Sequence, residues 1–567
     1  MFKRITALQY SLPQLLLTVL FIIVFQAKIY SQAKVKQAST SATVEPNRKS
    51  ADQSGYNVHF YGLDIKVDIL RRFISGSVTM EFTAQKPLDS ISIDLFEQYE
   101  IQKIAFGGNT LKYRRQDKQI HIYFPEKIPQ HTKTSIQVFY GGKPLVAAKA
   151  PWDGGFIWAK DSLKRDWVGV ACEQLGASSW WPCKDDLADE PDSAVMQFHV
   201  PKGLGCISNG QLQNVTEYDS FTAYKWKVGY PINLYNITLN IGHYQHFTDS
   251  FTSVYKDNSG RQITYPVDYY FLDYNLNKSK AFFADSIYAR TKTMLHIFEK
   301  LFGIYPFYRD GFGLVETPYW GMEHQGAVAY GNNFRLNAYG FDFILVHETG
   351  HEWWGNNVSC NDAGDMWIHE SFTTYAEALY VEHLFGYDSS VTYLKMQKPN
   401  IANKNPVQGP RNVNFHARDD NDIYYKGSWV LHTLRSVLNN DSLWFGMLYG
   451  MQHEFRYKTI ATEDIITYFE KHTGQSLKPF FAQYLYESKL PVLQYWVQHK
   501  KGKSQLKYRW LGAGKNFNMP VEIIVNEKKI RLNPKNIFQL YMFDGDVLKS
   551  DVKVDNGRFL VEFRNGI

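Results

Sequence analysis

The stretch His347-Glu348-Thr349-Gly350-His351, followed after eighteen residues by Glu370, constrains this chain of 567 residues more than any other feature. On a helix, positions i and i+4 share one face, so His347 and His351 are placed to grip one metal ion. Glu348 lies ~100° further round the helix. There it reaches a water on the metal without being a ligand. A catalytic zinc takes three protein ligands and keeps a fourth position open, and Glu370 is the natural third ligand. The residues before the motif, 341–346, are mostly apolar. Phe372, Tyr375, Ala376 and Leu379 recur at helical spacing after Glu370. The pattern predicts two packed helices with His, His and Glu converging where they meet.

This spacing resembles the aminopeptidase N family of zinc metallopeptidases, the gluzincin aminopeptidases, and three other stretches support the resemblance. Tyr319-Trp320-Gly321-Met322-Glu323-His324 is similar to the family's G-x-M-E-N motif, with Trp320 where the first Gly is usual and His324 in place of Asn. The resemblance makes Gly321, Met322 and Glu323 substrate-binding residues, Glu323 holding the free α-amine. An enzyme that cuts only at an N-terminus must pair a buried ammonium with an anion. Tyr424-Tyr425-Lys426-Gly427 resembles Y-E-K-G, with Tyr425 replacing Glu. Tyr424 then falls on the tyrosine that donates a hydrogen bond to the developing oxyanion. The segment from Cys172 to Asp185 is similar to one that reaches into the site from the N-terminal domain. It puts Glu173, or its neighbour Gln174, on a second amine-binding position. Glu377, two turns beyond Glu370, is either a carboxylate that orients a ligand histidine or a plain surface acid.

From its start, the chain opens with Lys3 and Arg4, an apolar run from Leu15 to Phe25, and Ser31-Gln32-Ala33. This reads as a secretory signal over residues 1–33, the alternative being an uncleaved anchor. The run is shorter than the ~20 residues of a comfortable transmembrane helix, so the mature chain is expected to have no membrane span and to be exported, periplasmic or extracellular. Residues 34–54 lack periodicity and read as a flexible linker. Forty-four per cent hydrophobic and 21% charged residues describe a globular chain. The net charge of +6 is modest, and half of it lies in residues 1–33. Lys and Arg do not cluster, which excludes nucleic-acid binding. Of the four cysteines, Cys172, Cys183, Cys206 and Cys360, the first two could pair in an exported protein, but four is no disulfide scaffold and their spacing is no zinc site.

The expected fold class is multidomain α+β. Period-two alternation from Tyr56, as in Val78, Met80 and Phe82 or Ile120, Ile122 and Phe124, predicts an antiparallel all-β domain over 55–249, similar to the family's saddle-like N-terminal domain. Near residues 250–265 the signal is mixed and then helical. A mostly helical, thermolysin-like catalytic domain is expected over 250–487, with a helix from Ser279 to Gly303 and others at 428–438, 462–471 and 476–487, the last two capped by Thr462 and Ser476. Residues 398–420 read as a long loop beside the site. Alternation returns over 488–567 and predicts a small β-sandwich, including a hairpin of Val552–Val554 with Arg558–Val561 around an Asn-Gly turn. No C-terminal helical solenoid is expected, and hence a more open site.

These readings combine into an exported zinc aminopeptidase with one Zn2+ per chain, acting on peptides with a free N-terminus. Glu348 serves as general base and Tyr424 as oxyanion stabiliser. A thermolysin-type zinc endopeptidase and a non-catalytic binding module on the same fold are the alternatives. The oligomeric state is not legible in the sequence.

Overall fold

The computed structural model describes residues 53–275, 287–413, 418–500 and 503–566. The expected signal segment and most of the expected linker therefore lie outside the described residues, as do residues 279–286 of the expected long helix. Among the described residues, no helix is long and apolar enough to cross a membrane.

The alternating N-terminal segments form a twisted eight-stranded sheet. At its centre, Tyr56–Asp68 pairs with Phe73–Ala84 and with Ser193–Pro201. Every second residue of these strands, such as Tyr61, Leu63 and Ile65, is buried, as period two requires. The pairing of Tyr56–Asp68 with Ser193–Pro201 is parallel, so the sheet is not purely antiparallel as the alternation suggests. Alternation reports which face is buried and not the direction of the neighbouring strand. Leu88–Asp94, Gln119–Ile128 and Lys112–Gln116 form a three-stranded sheet, and Gly155–Lys160, Asp166–Ala171, Gly205–Ser208 and Leu239–Gly242 a four-stranded one.

Residues 250–265, which read as mixed, belong to a long hairpin of Tyr244–Lys256 with Gln262–Leu272. This hairpin is the edge of a five-stranded sheet completed by Phe312–Glu316, Val328–Tyr330 and Gly321–Met322. Eight α-helices follow among the described residues. They are α1 (Ile287–Phe302), α2 (Phe343–Gly350), α3 (Trp367–Phe385), α4 (Tyr387–Gln397), α5 (Tyr425–Leu438), α6 (Asp441–Glu454), α7 (Thr462–Thr473) and α8 (Lys478–Leu485). Two of the expected caps move. Ala461 precedes α7, its N–H donating to Asp464 at 2.8 Å, while the Thr462 hydroxyl is drawn inward to Asp365 at 2.6 Å. Ser476 lies before the start of α8, where the N–H groups of Leu477 and Lys478 donate to Glu470 instead. A carboxylate thus outcompetes the local cap in both places, buried Asp365 in the first and partly buried Glu470 in the second.

At the C-terminal end, four-stranded and three-stranded sheets stack on the helices and share one apolar core with them. The hairpin expected around Asn556-Gly557 does not form. Val552–Val554 pairs with Val521–Val525, whereas Glu562–Asn565 runs parallel to Val492–Lys500. The residues between pack on the helices: Gly557 O accepts from His432, Leu560 N donates to Thr433, and Leu560 O accepts from Tyr484. These tertiary bonds satisfy the backbone that a hairpin would have paired. All four cysteines are buried and free, so Cys172 and Cys183 are not joined.

Candidate active site

Helix α2 starts on Asp342, whose carboxylate accepts from Leu345 N as an N-cap and is itself held by Tyr330 and Asn332. The helix ends at Gly350, and His351 is its C-cap in right-handed helical conformation. The i, i+4 relation therefore survives the helix end. Helix α3 crosses it with Glu370 in its first turn, and every residue from Trp367 to Val381 is buried. An all-buried helix shows no polar face for a sequence pattern to detect.

The Nε2 atoms of His347 and His351 are 3.3 Å apart, and Glu370 Oε2 stands 3.6 and 3.5 Å from them. Ligand atoms about 2.05 Å from a tetrahedral zinc would be about 3.4 Å apart. The other ring nitrogens are engaged from behind. His347 Nδ1 bonds Glu377 Oε1 at 2.7 Å, and His351 Nδ1 donates to Trp354 O at 3.0 Å. Both Nε2 lone pairs then face the common point, where Glu370 Oε2 has no hydrogen-bond partner. Three acceptors converging on one point with no donor between them are the arrangement a cation requires, so these residues fit zinc. Glu377 is 1% exposed and is fixed by Tyr393 at 2.6 Å and Gln397 at 3.1 Å, which excludes the surface-acid alternative.

Four further candidate side chains, Glu348, Glu323, Glu173 and Tyr424, cluster around this point. A carboxylate oxygen of Glu348 lies within 4.8 Å of ligand-type atoms of Glu323 and His351, and Glu173 stands in the same relation to Glu323 and Glu370. The segment from Cys172 to Asp185 thus reaches across from the N-terminal sheets. Gly321 touches Glu348 so closely that any Cβ there would collide with its carboxylate, while Met322 is buried in the N-terminal apolar core. Tyr424 sits at the start of α5, its ring 6.2 Å from that of His347. Its approach depends on Gly427, where a Cβ would strike Ser371 Oγ, and on Ser371 donating to Ile423 O at 2.6 Å.

The electrostatics divide the cluster. Burial works against ionising Glu370, but His351 and His347 outweigh it and hold its carboxyl well below the usual range. The reciprocal effect of Glu370 and Glu377 lifts His347 well above the ordinary imidazole value against its burial. Glu173 is pushed up by burial and then by Glu323, Glu370 and Glu348. Glu323 is also raised, by burial first and against the pull of His351. Burial raises Glu348 to about 7. Tyr424 is raised by burial and by the surrounding carboxylates, so its phenol stays neutral and able to donate.

Several supporting residues carried no sequence signal. Cys360 N donates to His369 Nε2 at 2.8 Å, which leaves the His369 proton on Nδ1, 3.3 Å from the Tyr235 oxygen. Tyr235 in turn donates to Glu323 Oε1 at 3.1 Å. Burial lowers His369 to about 3, so the relay is neutral. The loop after Glu323 is pinned by Asn356 to Glu323 O, by Asn209 to Gln325 O and by Gly326 N to Glu352. Tyr235 and Asn209 come from connections between the N-terminal strands and match no motif. His369 and Glu352 adjoin ligands, and that adjacency was their one available signal.

The peptidase family M1 domain model matches residues 287–484. The chain is 22% identical to probable aminopeptidase 1 of Saccharolobus solfataricus over 78% of its own length and 55% of that protein. It is 21% identical to human endoplasmic reticulum aminopeptidase 1 over 71% of its length and 44% of the relative. The chain thus spans about half the length of the curated relatives it matches. An M1 zinc metallopeptidase from Deinococcus radiodurans has the same fold, with a TM-score of 0.65 at 19% identity over 77% of this chain and 95% of that one. A mutant of it bound to a Tyr-Ser-Ala substrate gives 0.64, at 19% identity over 77% and 95%.

Proposed function

Through its peptidase family M1 domain this chain belongs to the aminopeptidase N family of zinc metallopeptidases, and from that premise we propose that it is an exported zinc aminopeptidase that removes the first residue of peptides with a free N-terminus. The observation that carries this reading is the crowding of Glu173 and Glu323 beside Glu370. The main charges acting on Glu173 are three other carboxylates, with His347 opposing them. Carboxylates at such spacing, with Glu323 and Glu370 buried and Glu173 half-buried, call for cations. A metal held by His347, His351 and Glu370 supplies one, and a substrate ammonium between Glu173 and Glu323 supplies the other. An endopeptidase has no need of the second.

Zinc at the three ligands would lower the pKa of water towards ~7 and polarise the scissile carbonyl. Glu348 takes the proton of the attacking water on its carboxylate and delivers it to the leaving nitrogen. The Tyr424 hydroxyl donates to the carbonyl oxygen as that atom gains charge. Glu323, oriented by Tyr235, and Glu173 hold the ammonium, so only the first peptide bond lies within reach. The N-terminal charge pattern and the Leu15–Phe25 apolar run support export. Fractionation of cells expressing the full chain, with N-terminal sequencing of the product, tests that part.

The catalytic test is hydrolysis of a panel of amino-acid p-nitroanilides, free and N-acetylated, by the zinc-loaded chain and by Glu323→Gln. Free-amine substrates should turn over, acetylated ones should not, and Glu323→Gln should raise KM by roughly 10- to 100-fold, the size of a lost charge-assisted contact. Cleavage of acetylated substrates at the same rate would hand the site to an endopeptidase.

A further inference from the structure

Large aromatic side chains left half in water beside a candidate site invite an explanation. Trp320 is 49% exposed and Trp152 is 48% exposed, and their ring centroids are 6.3 Å apart. Trp320 is also 6.1 Å from Phe343, and Phe343 stacks on the ligand His347 at 5.6 Å. One aromatic wall therefore runs from the metal ligands outward to solvent. Its outer member comes from the N-terminal sheets. The Trp152 turn is seated by Gly154 against Leu175, two residues from Glu173. The turn thus packs against the segment that brings Glu173 into the site.

We infer that Trp152, Trp320 and Phe343 form a clamp for an aromatic or bulky apolar side chain on the residue just after the scissile bond. This rests on the aminopeptidase reading. Glu323, the amine anchor, is 3% exposed, so a bound peptide has its first residue at the buried end and its remainder running toward solvent. Trp320 adjoins Gly321, which packs on Glu348, the group that protonates the leaving nitrogen. The wall consequently flanks the departing part of the peptide. Two indoles about 6 Å apart with exposed faces suit offset or edge-to-face contact with another ring. Lys149 Nζ lies over the Trp152 ring, 5.2 Å from its centroid, and adds a cation to this end of the wall.

The test uses the full zinc-loaded chain and two dipeptide amides, Xaa-Phe and Xaa-Gly, where Xaa is the best first residue in the p-nitroanilide panel. The parent should favour the Phe substrate by about tenfold in kcat/KM, the order expected from burying one ring. In Trp152→Ala and in Trp320→Gly that ratio should fall to within about twofold, and Trp320→Phe should retain it. Calorimetry on a Glu348→Gln background reads the same preference as a ratio of Kd values, with no turnover involved. Equal cleavage of both dipeptides by the parent, or an unchanged ratio in the variants, overturns the clamp and leaves the aminopeptidase reading intact. A parent that cuts the p-nitroanilide of Xaa and neither dipeptide overturns the clamp alone, whereas a zinc-loaded parent that cuts no free-amine substrate of either kind overturns both.

Discussion

The metal end and the amine end of the site are built from the same acidic residue type but stabilised in opposite ways. At the metal end, Glu370 is ionised well below the usual carboxylate range because two imidazoles face it. Each imidazole is braced from behind, by Glu377 and by Trp354 O. At the amine end, burial first and neighbouring acids second push up both Glu173 and Glu323, Glu173 by Glu323, Glu370 and Glu348 and Glu323 by Glu370. Their support is a relay of neutral groups, Cys360 N to His369 to Tyr235. The metal end is thus prepared for a permanent cation. The amine end is left short of one, which on the proposed reading a substrate ammonium would supply.

The largest expected effect lies between the two ends. Glu348→Gln should lower kcat by about 10³- to 10⁴-fold, while zinc content and the Kd for a free-amine peptide stay near those of the parent. Loss of zinc in this variant would mean that Glu348 belongs to the metal end. Next comes Glu377→Gln, which breaks the metal end alone. Zinc affinity measured by chelator competition should weaken by about 10- to 100-fold.

Acidification should separate the ends as well. The raised Glu173 and Glu323 take up protons as pH falls through values above the ordinary carboxylate range. Their neutral forms cannot hold an ammonium, so KM should rise by about tenfold per pH unit once below those values, before zinc content changes. A KM that stays flat down to about pH 4.5, the ordinary carboxylate range, would show that the two carboxylates stay ionised there and would overturn the raised values. The smallest effect is that of Tyr235→Phe. Losing one hydrogen bond worth ~1 kcal/mol should raise KM about fivefold with zinc binding unaltered.

Much of the metal end was legible because its residues are close in sequence and helix geometry relates them. His347, Glu348, His351, Glu370 and Glu377 all sit on or beside two consecutive helices, α2 and α3. Fixed spacing then converts directly into distance. The amine end was legible only where a motif resembled a known family, at Glu323 and Glu173. Tyr235, Asn209 and Asn356 had no pattern, because their partners are 88, 116 and 33 residues away. The same contrast runs through the fold. Alternation marked the buried faces of Tyr61, Leu63 and Ile65, but not that Ser193–Pro201 would lie parallel beside them. An Asn-Gly turn suggested a hairpin at Gly557, and contacts to His432, Thr433 and Tyr484 took its backbone instead.

What the sequence determined by itself was local: side-chain periodicity, and the ligand set that a helix presents on one face. Those follow from backbone geometry, which is the same in every chain. The tertiary structure decided which distant carboxylates lie side by side, which thiols stay apart, and which aromatic rings line up from Trp152 to His347. Long-range packing sets those distances, and with them the burial and charge that tune each group.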